Sequence, residues 1–214
     1  MDTFEVITTR RSVRKFLDTP VEQEKLDKIF EIAQRSPSWA NSQPWQSFVA
    51  SGETLKRIKA AYAENYANKV HTNLETPRPQ EWNELAKQRM KDLRPTMVRD
   101  CGEAVEEFVE LNQTMFGAPT VIFLCKDKIL KEWAMYDIGA YSQSIMLAAK
   151  ELGLGAIQAI QVVNYPDVLR KEMSIPETFD VMIGIAIGYA DYDHKINNFV
   201  SDRDPIEDCV RFFD

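Results

Sequence analysis

Residues Trp133–Leu152 read as a helix that is apolar nearly all the way round. Met135, Ile138, Ala140, Ile145, Met146, Leu147, Ala148 and Ala149 leave it no continuous polar face. Such a helix must be wrapped by other elements, so the chain has to build a fold around it. Gly139 and the alanines allow a neighbour to approach closely, and Gly153 is the expected stop. Two apolar runs of strand length supply the wrapping. Ala118–Cys125 is unbroken enough to be a central buried strand, and Val181–Tyr189 is a second. Gly184 and Gly188 in the latter suit close contact with a packed helix. Gly155–Val162 reads as a third strand, interrupted by Gln158 and Gln161.

The other segments follow from local signals. Asp2 with Glu5 has capping-box spacing and starts a first helix carrying Phe4 and Ile7 on one face. Thr19-Pro20-Val21-Glu22 reads as a second helix start, with Leu26, Ile29, Phe30 and Ala33 at helical spacing. Gln46–Ser51 reads as a strand, and Leu55, Ile58 and Tyr62 mark a third helix. Residues 65–117 are polar and broken by Pro77, Pro79 and Pro95, with a short helix hinted at by Trp82, Leu85 and Leu93. They read as an excursion over one edge of a single domain spanning 1–214. Pro166 opens a short helix, and Asp204-Pro205-Ile206-Glu207 starts a last one, capped like the second.

The chemistry concentrates in Arg10-Arg11-Ser12-Val13-Arg14-Lys15-Phe16. Alternation there suggests a strand-like piece with Ser12, Arg14 and Phe16 on one face. The chain of 214 residues carries a formal net charge of -7, so this cationic cluster runs against its background. A solvated surface run looks similar, but arginines grouped with a hydroxyl are also what a small phosphate needs. The acidic total argues against a nucleic-acid partner. His71 and His194 stand alone and make poor metal ligands. Cys101, Cys125 and Cys209 form no CxxC pair, which fits a reducing compartment. No signal peptide and no membrane-length apolar run is evident, so the expected location is the cytoplasm. Between Ser36 and Trp45 lies a loop dense in short polar side chains, whose Trp39 and Trp45 are costly to leave exposed.

Taken in order, these segments resemble the FMN-dependent nitroreductase family. The resemblance rests on Arg10–Phe16, on Pro37-Ser38 through Asn41 and Gln43-Pro44-Trp45, and on Asp137 and Gly139 leading to Leu152-Gly153-Leu154-Gly155. It rests also on the tail from Asn198-Phe199 to Arg203 and Pro205. The Pro77–Trp82 stretch and the chain's ending are most similar to the nitrobenzoate and nitroaromatic reductase branch.

The resemblance implies an α+β fold with a mostly antiparallel central sheet flanked by helices. It also implies a homodimer with FMN at the subunit interface. By the same likeness, Arg10, Arg11, Ser12 and Arg203 match the phosphate-holding positions, and Arg14 matches the cation near N1 and O2. Pro37, Ser38, Trp39, Asn41 and Gln43 match the loop reaching over from the partner subunit. Gln158, Ala159, Ile160 and Gln161 match the strand whose backbone faces N5 and O4. The ribityl-contacting asparagine stays open between Asn65 and Asn68. The implied activity is ping-pong reduction of nitroaromatics, quinones or similar acceptors by NADH or NADPH. Enoate reduction or reductive dehalogenation on the same scaffold, and FMN binding without turnover, are the alternatives.

Overall fold

A computed structural model describes residues 2–213. In chain order its elements are α1 (Thr3–Thr9), α2 (Gln23–Ala33), β1 (Gln46–Ser51), α3 (Gly52–Ala67), α4 (Glu84–Cys101), α5 (Phe108–Gln113) and β2 (Thr120–Asp127). There follow α6 (Glu132–Glu151), β3 (Gly155–Ala159), α7 (Pro166–Met173), β4 (Phe179–Gly188) and α8 (Ile206–Cys209). The four strands form one antiparallel sheet in the order β1-β2-β4-β3. The α+β expectation therefore holds.

The sheet separates two apolar layers, and strand periodicity assigns side chains to each. Ile122, Leu124, Ile185 and Ile187 face α2 and α6 with Ile29, Tyr141, Ile145 and Ala149. Val121, Phe123, Cys125, Val181 and Ala186 face the other way, onto Leu55, Ile58 and Tyr62 of α3 and Leu169 of α7. The side chains of Val121 through Cys125 are fully buried, as an unbroken apolar run requires. The long helix behaves as its composition demands along most of its length. At its first turns, however, Trp133 and Tyr136 are exposed. Its end is a Schellman motif: Gly153 adopts φ +77°, Leu154 N donates to Ala149 O at 2.9 Å and Gly153 N to Lys150 O at 3.1 Å.

Five expectations need correction. α2 begins at Gln23, with Glu22, in extended conformation, rather than Thr19 at the cap. The excursion is no mere cover: α4 is 18 residues long, runs through Pro95, and buries Met97 and Cys101. Val105, Leu111, Met115 and Phe116 complete its contribution to the core. Residues 12–16 form no regular strand: two isolated bridges, Ser12 to Ala156 and Phe16 to Ala190, hold them, and Val13 is buried along with Phe16. α8 has no side-chain cap.

The fifth correction concerns β3, which ends at Ala159; Ile160–Val163 then turn as a short 3-10 segment. That turn crowds β4 at Gly184, and Pro119 with Phe16 crowds it at Gly188; neither neighbour is a helix. A Cβ on Gly184 would lie 1.9 Å from Val162 Cγ2, and one on Gly188 2.6 Å from Pro119 Cδ. Val162 is fully buried, so it has little room to yield. Gly184→Ala is therefore expected to cost about 1–3 kcal/mol as overpacking. Urea unfolding measures it, and a loss below a few tenths would mean the turn is free to move.

Candidate functional site

The cations stand where α1 hands over to the sheet. Asp2 caps α1 by accepting from Glu5 N at 2.9 Å, and the helix delivers Arg10 to its far end. The following backbone lies against the start of β3, where Val13 N donates to Ala156 O at 3.1 Å. Gly155 makes this possible, since a Cβ there would come within 2.6 Å of Val13 Cγ2. Arg10, Arg11, Ser12, Arg14 and Arg203 line a cavity of about 310 Å³ that holds no acidic side chain. On the other side of Arg10 and Arg11 lies a second cavity, about 360 Å³, reached by Lys150 and Tyr192.

The electrostatics are those of an anion site. Partial burial lowers the Arg10 pKa, and the positive charge of Arg203 lowers it further. Two cations thus sit close together without a carboxylate between them. Arg14 is lowered mainly by burial. Its guanidinium covers the Phe199 ring at 4.8 Å, its Nη1 donates to Ser12 O at 3.1 Å, and its Nε is buried without a partner. An orphaned buried guanidinium donor is expensive unless something binds it. Arg203 is fixed through Nη1, which donates to Ser201 Oγ at 2.7 Å and to Asp202 O at 2.8 Å.

One residue that composition could not single out organises this corner. Asn197, 1% exposed, accepts from Arg14 N at 2.7 Å and Lys15 N at 3.2 Å through Oδ1. Its Nδ2 donates to Lys15 O and Asp191 O, both at 2.8 Å. A fully satisfied buried amide fixes the backbone that carries Arg14. Nothing near Asn197 in the sequence distinguishes it from Asn198. Asn197→Ala is expected to cost roughly 1–3 kcal/mol, since buried backbone groups lose their partners. Thermal or urea unfolding checks this, and a neutral effect would remove Asn197 from the framework.

The loop at 37–43 is built by strain and by polar clamps. Ala40, Asn41 and Gln43 all adopt positive φ, of 49°, 58° and 46°. Ser38 Oγ accepts from Gln43 N at 2.9 Å, and the buried Asp137 accepts from Trp39 N at 3.2 Å. Trp45 is the buried anchor, stacked on Tyr141 at 4.5 Å, whereas Trp39 is exposed and meets Trp133 edge-on.

The structure does not gather all the expected residues in one place. The loop attaches at Asp137, near the start of α6, while the cations stand beside Met146 and Lys150, near its end. The helical rise puts roughly 14–20 Å between these levels. β3 is an edge strand, and beyond Ala156 its outer edge has no strand neighbour among the described residues. Gln158 and Ala159 lie on that edge; Ile160 and Gln161 lie in the turn beyond it. Asn65 and Asn68 close α3 and line neither cationic cavity.

Comparison with known proteins places this arrangement. Residues 7–189 match the model of the nitroreductase family. The chain belongs to the nitroreductase family. Similar curated members of the nitroreductase family include a nitrobenzene nitroreductase from Ectopseudomonas oleovorans, 32% identical, with 97% of this chain and 95% of the relative covered. Another is a 4-nitrobenzoate reductase from Nocardioides sp. strain LMS-CY, 27% identical, covering 97% and 88%. Among solved nitroreductases, the FMN-dependent enzyme from Mycobacterium smegmatis in complex with NADPH superposes with a TM-score of 0.90. It is 26% identical, with 99% of this chain and 97% of that one covered.

Proposed function

We propose that this chain is an FMN-dependent oxidoreductase that uses NADH or NADPH to reduce nitroaromatic compounds and similar flat acceptors. The observation that carries the reading is the acid-free cavity in which Arg10, Arg14 and Arg203 converge, with a buried Arg14 donor left over. A phosphate monoester fits this donor set: several guanidinium forks and a hydroxyl for one dianion. The chain's family membership and its near-complete coverage by nitroaromatic reductases point the same way.

Arg10, Arg11, Ser12 and Arg203 would hold the phosphate. The open edge at Gln158 and Ala159 would present backbone groups to the ring system. The chemistry FMN supplies when bound is hydride acceptance from the nicotinamide and delivery to the acceptor. Arg14 keeps a fixed positive charge at the site and so favours whichever state of the bound group is more negative. No nucleophile or paired carboxylate is needed for this work.

A second copy of the chain completes the pocket in this reading. In its own chain the loop at 37–43 attaches to α6 at Asp137, nine or more positions before the residues beside the cations. Two-fold pairing with the long helices antiparallel sets each loop beside the other chain's cations. Among the described residues no helix is long and apolar enough to cross a membrane.

The test begins with purified protein, expected to be yellow. Under anaerobic conditions NADH or NADPH should bleach it, and 4-nitrobenzoate should restore the colour. Colourless protein that takes up no added FMN overturns the reading; bound FMN that neither nucleotide bleaches reduces it to a binding protein.

A further inference from the structure

Arg203 is flanked in sequence by two carboxylates, Asp202 and Asp204. Left free, either could lie across its guanidinium or face a bound phosphate with like charge. Both line a cavity with Arg203, yet each has its partner on α4. Asp204 pairs with Arg89 of α4. Asp202 lies 3.6 Å from Arg99 Nη1 and accepts from Thr96 Oγ1 at 3.4 Å, both also on α4. Asp100 holds the helix end to the same segment, accepting from Arg99 Nε at 2.7 Å and from Val200 N at 3.2 Å. Arg203 meanwhile makes no ion pair among the described residues. Only its Nη1 is used, on neutral oxygens of Ser201 and Asp202.

We infer that Arg89 and Arg99 are positioning residues for the cofactor phosphate, which draw Asp202 and Asp204 away from Arg203 and leave its other nitrogens free for the anion. The inference rests on the phosphate site proposed above. It gives α4 a part in cofactor selection. The two ion pairs are well exposed, with side-chain accessibilities of 49% and 34% for Arg89–Asp204 and 57% and 69% for Arg99–Asp202. Pairs of that kind hold a fold together only weakly. Their effect is therefore sought in anion binding rather than in stability.

The experiment measures FMN and riboflavin affinities by fluorescence for the parent protein, Arg89→Ala/Arg99→Ala, and Arg89→Lys/Arg99→Lys. A fourth variant adds Asp202→Asn and Asp204→Asn to the alanine pair. The alanine pair should lose about 10-fold in FMN affinity, the scale of one modest charge interaction, and riboflavin should move far less. The lysine pair should stay close to the parent. The asparagine additions should return most of the FMN affinity by removing the competing charges. An unchanged FMN-to-riboflavin ratio in the alanine pair overturns the inference, as does failure of the asparagines to rescue. If the alanine pair does not fold, the single variants Arg89→Ala and Arg99→Ala decide: each should lower the FMN-to-riboflavin affinity ratio, and an unchanged ratio in both overturns the inference. A parent that binds riboflavin as tightly as FMN defeats the phosphate site itself, which is a different result.

Discussion

Changing Arg10 and Arg203 together to alanine should weaken FMN binding by roughly 3–6 kcal/mol, or about 10²–10⁴-fold. This is the sum of two charge-assisted hydrogen-bonding partners at about 1.5–3 kcal/mol each. Riboflavin, without the phosphate, should bind parent and variant nearly alike. A second readout has the opposite sign. Burial and the charge of Arg203 both depress the Arg10 pKa, so the site without its anion carries cationic repulsion. Removing the two arginines should leave the cofactor-free protein as stable or slightly more so, while the protein with FMN loses stability through linkage. Surface arginines with no phosphate role would show neither the selective loss nor the reversal. Fluorescence titration and thermal unfolding with and without FMN distinguish the outcomes, and equal FMN affinity in parent and variant would mean the cluster is surface charge alone.

What the sequence made legible was whatever depends on local pattern. The apolar sides of Trp133–Leu152 had to be buried, and beyond the first turns, where Trp133 and Tyr136 are exposed, they are, against Ile122 and Ile185 of the sheet. Ala118–Cys125 could only be a strand covered on both faces. The Asp2 cap, the Gly153 stop and the arginine cluster were likewise readable, since each acts over a few residues. What could not be read depends on contacts between distant segments. Val162, in the turn that follows β3, closes against Gly184 of β4, a contact between segments more than twenty residues apart. α4 is polar over most of its surface and contains Pro95, so neither periodicity nor propensity announces a helix of its length. Its anchors, Met97 and Cys101, gain their meaning from the tail, where Cys101 Sγ reaches Ile196 O at 3.6 Å. Asn197 is the clearest case. Apart from Asp191 O, its partners are on Arg14 and Lys15, more than 180 positions away in the chain.

The same distance argument yields the largest effect expected of this protein. In one chain the Ser38–Asn41 loop attaches to α6 at Asp137, whereas Arg10 and Arg11 stand beside Met146 and Lys150, farther along the same helix. Suppose one chain carries Arg10→Glu and Arg203→Glu, and another carries Ser38→Leu and Asn41→Leu. The first change reverses the charge of the cavity. The second removes the acceptor for Gln43 N and places a branched side chain at φ 58°, where leucine is strained. Either variant alone should form dimers with two damaged pockets and bind little FMN. Coexpression with two affinity tags isolates the mixed dimer. If each pocket draws its cations from one chain and its loop from the other, both lesions fall into one pocket and the second pocket is untouched. The mixed dimer should then hold about one FMN per two chains, with parental affinity and parental turnover at that site, as two-fold symmetry requires. If all these residues served one pocket in their own chain, every pocket in the mixed dimer would carry a lesion. Recovery from almost no bound FMN to half occupancy has no explanation in terms of stability, because neither chain has been repaired. A mixed dimer as empty as its parents would refute the shared pocket and leave the cationic site to be explained within one chain.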